Sequence, residues 1–396
     1  MLAILLAPVY IAFCLYILRW GIRYMTACHH FFSRKSVRII IYTTYAFLAS
    51  SILIAFLLPH CQLQRFINLM GNYWLGTIMY ILMIVMIVDV IRVFAKRTRF
   101  RGRDFLFSRK GFVCVGSLCI VAVIMFSALG IYGAKDIKTT EYNITVEKSG
   151  GNLDSLHIAL VADLHLGYSI GTAQMKRMVD RINDMKPDIV LIAGDVFDNE
   201  YEALDDPEKL SKILSGIESR YGVFACYGNH DIEEKILAGF TFGNNEDKNS
   251  DPRMDDFLKS SDITLLQDEG IVIDDSIYLY GRHDKRKPGE NIIERKTPAE
   301  ITAEIDKRMP VIVIDHEPAE LQALSDADVD VDLCGHTHDG QMFPGNLTIN
   351  LFWENACGYL RKGDMHNIVT SGIGVFGPAM RVGTRSEICD ITVNFN

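Results

Sequence analysis

The first third of the chain has almost no acidic residues. Residues 1–133 contain 2 Asp+Glu against 14 Lys+Arg, whereas residues 134–396 contain 47 Asp+Glu against 26 Lys+Arg. The long apolar runs of the first part also lack the polar interruptions that helices of a soluble globular core carry, which excludes an ordinary soluble domain there. The second part lacks the positive charge needed to bind a phosphate backbone, so nucleic acid is not expected as a partner.

Paired cysteines are missing as well. The nine cysteines contain no C-x-x-C pair and are too sparse for a disulfide framework. This excludes a zinc ribbon and a disulfide-stapled secreted domain. Cys226 and Cys334 each end an apolar run, so we expect them to be buried free thiols.

Four apolar runs dominate the basic part of the chain. They cover residues 2–18, 39–58, 73–93 and 111–132, and about 20 apolar residues are enough to cross a bilayer. The first run lacks a basic n-region and a convincing cleavage site, so we predict a retained helix rather than a signal peptide. The sequence therefore predicts a multi-pass transmembrane region of four helices at 1–133, a juxtamembrane linker at 134–152 and a folded domain at 153–396.

Loop charges predict the orientation of these spans. Residues 19–38 carry five Lys/Arg and residues 92–110 carry eight, whereas residues 59–72 carry a single Arg. Because short basic loops stay in the cytoplasm, we predict a multi-pass protein of the cell membrane with everything after Tyr132 outside the cytoplasm. Asp89 is the only acid within a span and is either a functional group or a snorkelled partner of a nearby arginine.

Five apolar runs of the acidic part end in side chains that can bind metals. They cover 156–162, 189–193, 223–227, 311–314 and 331–334, and their ends carry, in order, Asp163 and His165; Asp195 and Asp198; Asn229 and His230; His316; and His336 and His338. Strands that alternate with helical patterns predict a largely parallel α/β sheet, in which sites form beyond the carboxyl ends of the strands. An isolated histidine of this kind is usually a packed or surface residue, but five such strand ends together indicate one site.

The types of these side chains point to divalent metal ions. Asp, His and Asn suit Mn, Fe or Zn, and the ligands are too many for one tetrahedral ion and include no thiolate. Two ions about 3.5–4 Å apart would use the whole set. Such a pair neutralises phosphoryl oxygens and lowers the pKa of a bound water towards about 7, which is chemistry for hydrolysing a phosphate ester.

The order of these motifs resembles the calcineurin-like metallophosphoesterases. The blocks D-x-H, G-D-x-x-D, G-N-H-D, a lone His and G-H-x-H follow one another from Asp163 to His338. With the four spans, the block S-G-I-G-x-x-G-P-x-x-R from Ser371 to Arg381 is similar to the membrane-attached branch called transmembrane protein with metallophosphoesterase domain. The resemblance implies an α/β metallophosphoesterase domain that is a four-layer α/β/β/α sandwich.

The resemblance also implies roles for single residues. One metal ion would be held by Asp163, His165, Asp195 and His338, and the other by Asp195, Asn229, His316 and His336, with Asp195 as the bridge. His230 would contact the substrate phosphate and protonate the leaving oxygen, and Asp198 would orient His230. Arg381 is expected either to contact substrate phosphate through its planar fork or to form a structural ion pair.

These observations predict a membrane-anchored hydrolase of phosphate ester or pyrophosphate bonds. A domain just outside a bilayer favours phosphorylated small molecules, lipid-linked phosphates or cell-envelope phosphates as substrates. Two alternatives from other classes stay open. One is a membrane receptor or sensor that binds a phosphorylated ligand without turnover, and the other is a transporter with a regulatory phosphatase domain.

Overall fold

The computed structural model describes residues 2–237, 240–242, 251–285 and 295–396. The chain divides into two compact units. One consists of Met1–Ile131, Ile236–Phe242 and Gly377–Met380, and the other of Tyr132–Lys235, Gly243–Phe376 and Arg381–Asn396.

Long helices form most of the first unit. The helices are α1 (Leu2–Cys28), α2 (Lys35–Leu57), α3 (Gln62–Arg97), the short α4 (Arg103–Phe107) and α5 (Arg109–Lys135). All except α4 are long and apolar enough to cross a membrane, which confirms the four predicted helices. They extend beyond the apolar runs because helical hydrogen bonding continues through the polar residues that flank a span.

The helices contact one another through small apolar clusters. Trp20 of α1, Val85 of α3 and Cys119 of α5 share one cluster. The hydroxyl of Tyr16 in α1 donates a 2.7 Å hydrogen bond to the Asp89 carboxylate in α3, so the acid within the span joins two helices. Most of each span is not buried inside the protein, as expected for helices whose outer faces meet lipid.

Over the described residues, the second unit contains twelve strands and six further α-helices. Its strands are β1 (Ile137–Val146), β2 (Ser155–Val161), β3 (Ile189–Ala193), β4 (Val223–Cys226), β7 (Ile263–Leu265), β8 (Glu269–Ile273), β9 (Ile277–Gly281), β10 (Val311–Ile314), β11 (Val331–Cys334), β12 (Gly358–Lys362), β13 (Met365–Val369) and β14 (Ser386–Phe395); its helices are α6 (Thr172–Met185), α7 (Pro207–Leu214), α8 (Pro252–Ser260), α9 (Pro298–Thr302), α10 (Leu321–Asp326) and α11 (Gly345–Thr348). The hairpin strands β5 (Lys235–Leu237) and β6 (Phe240–Phe242) pair with each other.

The first sheet has the order β1-β14-β2-β3-β4-β7. Strands β2, β3, β4 and β7 run parallel, so the ends of β2, β3 and β4 lie along one edge. Within residues 134–152, where a linker is predicted, β1 pairs with β14 along its whole length, and only Asp136 separates β1 from helix α5. Its partner lies about 250 residues later in the chain, so local sequence gave no sign of the pairing.

The second sheet has the order β12-β13-β11-β10-β9-β8, and β9, β10, β11 and β13 are parallel. Side chains of both sheets share one buried core, for example Leu160 and Leu191 with Ile314 and Leu333. Helices α9 and α10 pack on the outer face of the second sheet, and α6 and α8 contact the first. The predicted α/β sandwich is confirmed, and its two sheets bring the ends of β2, β3, β4, β10 and β11 to a common edge.

A buried carboxylate in β11 gives the stability of this core a pH dependence. Asp332 is fully buried and accepts a 2.9 Å hydrogen bond from Asn367 Nδ2. Burial, followed by the charge of Asp315, raises the pKa of Asp332 to about 7. The ordinary pKa of an aspartate is about 3.9, so the folded state holds an extra proton between these values and its stability falls as the pH rises through that window.

We therefore expect Asp332→Asn to become more stable than the wild type as the pH rises. The amide cannot ionise, so the difference in free energy of unfolding should grow by about 2–3 kcal/mol between pH 5 and pH 8. Thermal unfolding of the full chain in detergent at both pH values measures it. A difference that stays constant with pH would contradict the assignment.

Candidate metal centre

Sharp turns follow the strands that carry the candidate ligands. Asp163, His165, Asp195, His336 and His338 all have φ between 44° and 73°, in the left-handed region that costs a residue other than glycine about 1–3 kcal/mol. Residues keep such a strained backbone conformation only where the surrounding structure fixes it, and they are most common at functional sites. The turns direct the side chains at the strand ends towards one another.

Two glycines allow the strand ends to come close. Gly194 has φ 77°, and a Cβ on it would lie 2.6 Å from His316 Nδ1. A Cβ on Gly228 would lie 2.3 Å from Asp195 Oδ1. Any side chain at either position would therefore push apart the histidine and carboxylate that the two turns bring together.

The first group of donors contains Asp163, His165 and His338. His165 Nε2 lies 3.1 Å from His338 Nε2 and 4.0 Å from Asp163 Oδ1. His338 Nε2 lies 3.4 Å from the same carboxylate oxygen. All three side chains are buried, so one carboxylate oxygen and two imidazole nitrogens face one small volume.

The second group contains Asp195, His316 and His336, and Asn229 joins it. His316 Nε2 lies 3.2 Å from Asp195 Oδ2, 3.1 Å from Asn229 Oδ1 and 3.1 Å from His336 Nδ1. The other nitrogen of His316 faces the Ala193 carbonyl at 2.9 Å, which fixes the ring so that Nε2 points into the group.

Asp195 connects the two groups. Its Oδ2 lies 3.6 Å from His165 Nε2 in the first group and 3.2 Å from His316 Nε2 in the second. Its Oδ1 accepts a 2.8 Å hydrogen bond from the backbone N–H of His230. The structure thus brings together all seven side chains that the sequence nominated, with Asp195 between the others.

The buried carboxylates and histidines of the site stabilise one another in their charged forms. Burial disfavours the Asp195 carboxylate, but the positive charges of His316, His230 and His165 outweigh burial and hold its pKa well below the ordinary value. Burial also opposes charge on His316, yet Asp195 and Asp163 raise the pKa of His316 well above normal. Divalent cations would supply the same positive charge when they displace those protons, so the donor set fits metal ions.

Asn199, a residue that the sequence did not nominate, lies against the catalytic candidate His230. The side-chain oxygen of Asn199 is within hydrogen-bonding distance of His230 Nδ1, whereas the Asp198 carboxylate lies 3.6 Å from His165 Nδ1. Asn199 Nδ2 donates to the Ile232 carbonyl at 3.2 Å, which leaves its oxygen for the histidine. Asn199 has φ 65°, and the turn at this residue directs the side chains of Asp198 and Asn199 towards different histidines. The tolerance of asparagine for that conformation is the only feature of the sequence that indicates such a turn.

Arg381 is buried beside the first group of donors. It is 1% exposed and its guanidinium donates to the carbonyls of Ser371, Gly372 and Gly374 at 2.6–3.2 Å. One nitrogen also lies 3.1 Å from His338 Nδ1. Burial lowers the pKa of Arg381 to about 10. The guanidinium therefore supports the loop behind a metal-ligand candidate, and both the phosphate contact and the ion pair stay predictions.

We expect Arg381→Met to act on stability first. The change removes the guanidinium donor from the carbonyls of Ser371, Gly372, Gly374 and His338, so the free energy of unfolding should fall by about 3–5 kcal/mol, as measured by thermal unfolding in detergent. Arg381→Lys keeps the charge but not the fork and should recover only part of the loss. A variant that unfolds like the wild type but has a raised KM would instead indicate contact with substrate.

Two aromatic residues beside the site were not nominated from the sequence. The Phe376 ring lies 4.5 Å from the His230 ring, centroid to centroid. The Trp353 ring lies 5.1 Å from that of His336 in an edge arrangement. Neither follows a predicted strand, so the strand-end pattern could not find them.

The family of this domain follows from its sequence match. The family model described as calcineurin-like phosphoesterase matches residues 156–340, a range that contains the seven ligand candidates, Asp198 and His230. The domain is a calcineurin-like metallophosphoesterase. Membership of a metal-dependent family agrees with the two clusters of candidate metal ligands at the strand ends.

This chain has proteins named as transmembrane among its relatives. It is 31% identical over 294 residues to a transmembrane protein with metallophosphoesterase domain of Danio rerio, covering 69% of this chain and 62% of that protein. The Bos taurus protein of the same name is 26% identical over 286 residues, covering 69% and 61%. The UDP-2,3-diacylglucosamine pyrophosphatase LpxG of Chlamydia trachomatis is 25% identical over 239 residues, covering 52% and 70%. The match spans less than two thirds of the two animal proteins.

Proposed function

We propose that this protein is a membrane-anchored phosphoesterase with two metal ions that hydrolyses a phosphate ester or pyrophosphate bond. The observation that carries the proposal is the position of Asp195, whose Oδ2 lies 3.6 Å from a donor of one group and 3.2 Å from a donor of the other. A carboxylate between two sets of donors is the arrangement that a two-ion site requires.

We assign one ion to Asp163, His165, Asp195 and His338 and the second to Asp195, Asn229, His316 and His336. Asp, Asn and His ligands suit Mn, Fe or Zn. Such a pair, when bound, neutralises the charge that develops on phosphoryl oxygens and acidifies the water that hydrolyses the bond. The second ring nitrogen of His316 is fixed by the Ala193 carbonyl, as a well-oriented ligand needs.

His230 supplies the proton for the leaving oxygen in this proposal. Its Nδ1 faces the Asn199 side-chain oxygen, and we assign the proton transfer to the other ring nitrogen, Nε2. The ring is partly exposed and lies beside Phe376, whose apolar face limits the water around it. A proton donor held in this way contributes about 10²–10⁴-fold to the rate of such reactions.

The substrate that we propose is a lipid-linked or cell-envelope phosphate outside the cytoplasm. Four spans precede the domain, and one residue separates the last of them from β1, so the chain keeps the domain at a bilayer. The Chlamydia trachomatis relative is named as a pyrophosphatase of a diacylated sugar nucleotide, which supports a lipid substrate. Reporter fusions at the C-terminus, read on both sides of the membrane, test the orientation.

Activity of the purified full chain tests the proposal. After metal removal with a chelator, the protein should hydrolyse p-nitrophenyl phosphate, bis(p-nitrophenyl) phosphate or a nucleotide pyrophosphate only when Mn, Fe or Zn is returned, and metal analysis should find two ions per chain. Binding of phosphorylated compounds without hydrolysis under all these conditions would overturn the proposal and favour the receptor.

A further inference from the structure

An uncharged loop next to the metal centre exposes large apolar side chains. Residues 340–353, called here the apolar loop, read G-Q-M-F-P-G-N-L-T-I-N-L-F-W and contain no Asp, Glu, Lys or Arg. Leu347, Leu351 and Phe352 are 67%, 81% and 78% exposed. A cluster of exposed apolar side chains in a folded domain indicates a binding surface. The uncharged stretch also differs from the rest of the domain, which is acidic.

The loop is held in place at its base. Phe343 N–H donates to the Val382 carbonyl at 2.7 Å, and the Thr337 hydroxyl donates to the Ala356 carbonyl. Asn355, which follows the loop, is buried and donates to Asn367 Oδ1 at 2.6 Å. With its ends fixed in this way, the loop presents Leu351 and Phe352 as part of the folded structure.

The loop also begins and ends at the metal centre. His338, a ligand candidate of the first group, lies two residues before it, and its last residue, Trp353, packs its ring 5.1 Å from His336 of the second group. A molecule bound through a phosphate group at the metal centre would therefore have its neighbouring part beside the apolar loop. Acyl chains match the chemistry of that surface, because it offers apolar area and no charge.

We infer that the apolar loop binds the acyl chains of a membrane lipid whose phosphate group is bound at the metal centre. The inference rests on the proposed function and adds the part of the protein that distinguishes a lipid from a soluble phosphate. Four apolar spans and a one-residue connection keep the domain at a bilayer, where such a lipid is available. A soluble phosphate would gain nothing from Leu351 or Phe352.

Site-specific photo-crosslinking tests contact with lipid without any need for activity. The full chain carrying Phe352→p-benzoylphenylalanine is reconstituted in phosphatidylcholine vesicles that contain an alkyne-tagged phosphatidic acid, and is then irradiated. Val272, an exposed apolar residue of β8 (49% exposed) outside the loop, is the matched control position. We expect a lipid adduct at 352 that exceeds the adduct at 272 by about tenfold or more. Equal adducts at both positions, no lipid adduct, or a crosslink between two copies of the chain would overturn the inference.

Competition against hydrolysis of an aryl phosphate tests the consequence for recognition. Dioleoyl phosphatidic acid and glycerol 3-phosphate share a phosphate group and differ by their acyl chains. The preference of the wild type for the lipid should fall by about 10- to 100-fold in Leu351→Ser/Phe352→Ser, the range expected when one or two such side chains lose apolar contact, and should persist in Val272→Ser. An unchanged preference in the loop variant would overturn the inference, while hydrolysis of the aryl phosphate would still support the proposed function. If the aryl phosphate is not cleaved at all, the proposed function fails, and the crosslinking experiment still tests whether the loop contacts lipid.

Discussion

Asp195→Asn is expected to lower kcat/KM for phosphoester hydrolysis by about 10³-fold or more and to reduce the metal content from two ions towards one. The carboxylate lies between the two donor groups, with Oδ2 within 3.6 Å of both His165 Nε2 and His316 Nε2. An amide of the same shape is neutral and offers one oxygen, so it holds two cations poorly and leaves their repulsion uncompensated. Steady-state kinetics and metal analysis of the purified full chain measure both effects.

Asp332→Asn provides a matched control for this experiment. It makes the same chemical change at another fully buried aspartate, one that hydrogen-bonds Asn367 and Cys334 and that does not belong to either donor group. It should keep two metal ions and near wild-type kcat/KM. If Asp195→Asn keeps both ions and its activity, Asp195 is not the bridge and the two-ion proposal is wrong.

His230→Ala is expected to lower kcat by about 10²–10⁴-fold, the contribution of a positioned proton donor, with two metal ions still bound. The loss should be larger for an alkyl phosphate than for p-nitrophenyl phosphate, because p-nitrophenolate is a good leaving group that needs little protonation. That dependence on the leaving group separates a proton donor from a residue that only supports the fold. An equal loss for both substrates would contradict the role proposed for His230.

The same experiment distinguishes Asn199 from Asp198 as the residue that orients His230. The Asn199 oxygen faces His230 Nδ1, so Asn199→Ala should lower kcat by about tenfold and should cost little more when His230 is already alanine. Asp198 lies 3.6 Å from His165 Nδ1, so Asp198→Ala should instead weaken metal binding by about 10- to 100-fold. A metal titration and a pH–rate profile of each variant measure the two outcomes.

Local patterns were enough to predict the strands that carry the candidate ligands. The apolar runs before His165, Asp195, Asn229 and His316 became β2, β3, β4 and β10 within two residues of their predicted limits, because a buried strand between turns needs a continuous apolar run. Strand β1 was missed, since its alternating sequence is paired with a strand about 250 residues away and no local signal encodes a partner at that distance.

The order of the residues was sufficient to identify the side chains that can bind metals, because ligand chemistry depends on residue type and the ends of parallel strands meet at one edge of a sheet. It also determined that four spans precede the domain, because about 20 apolar residues have few other environments in which to lie. Only the tertiary structure decided that Asn199 faces His230, that Arg381 is buried behind His338, and that Trp353 packs against His336. These contacts depend on single backbone angles and on packing between segments that are distant in the chain. Neither produces a repeating pattern of residue types that could be recognised in the sequence.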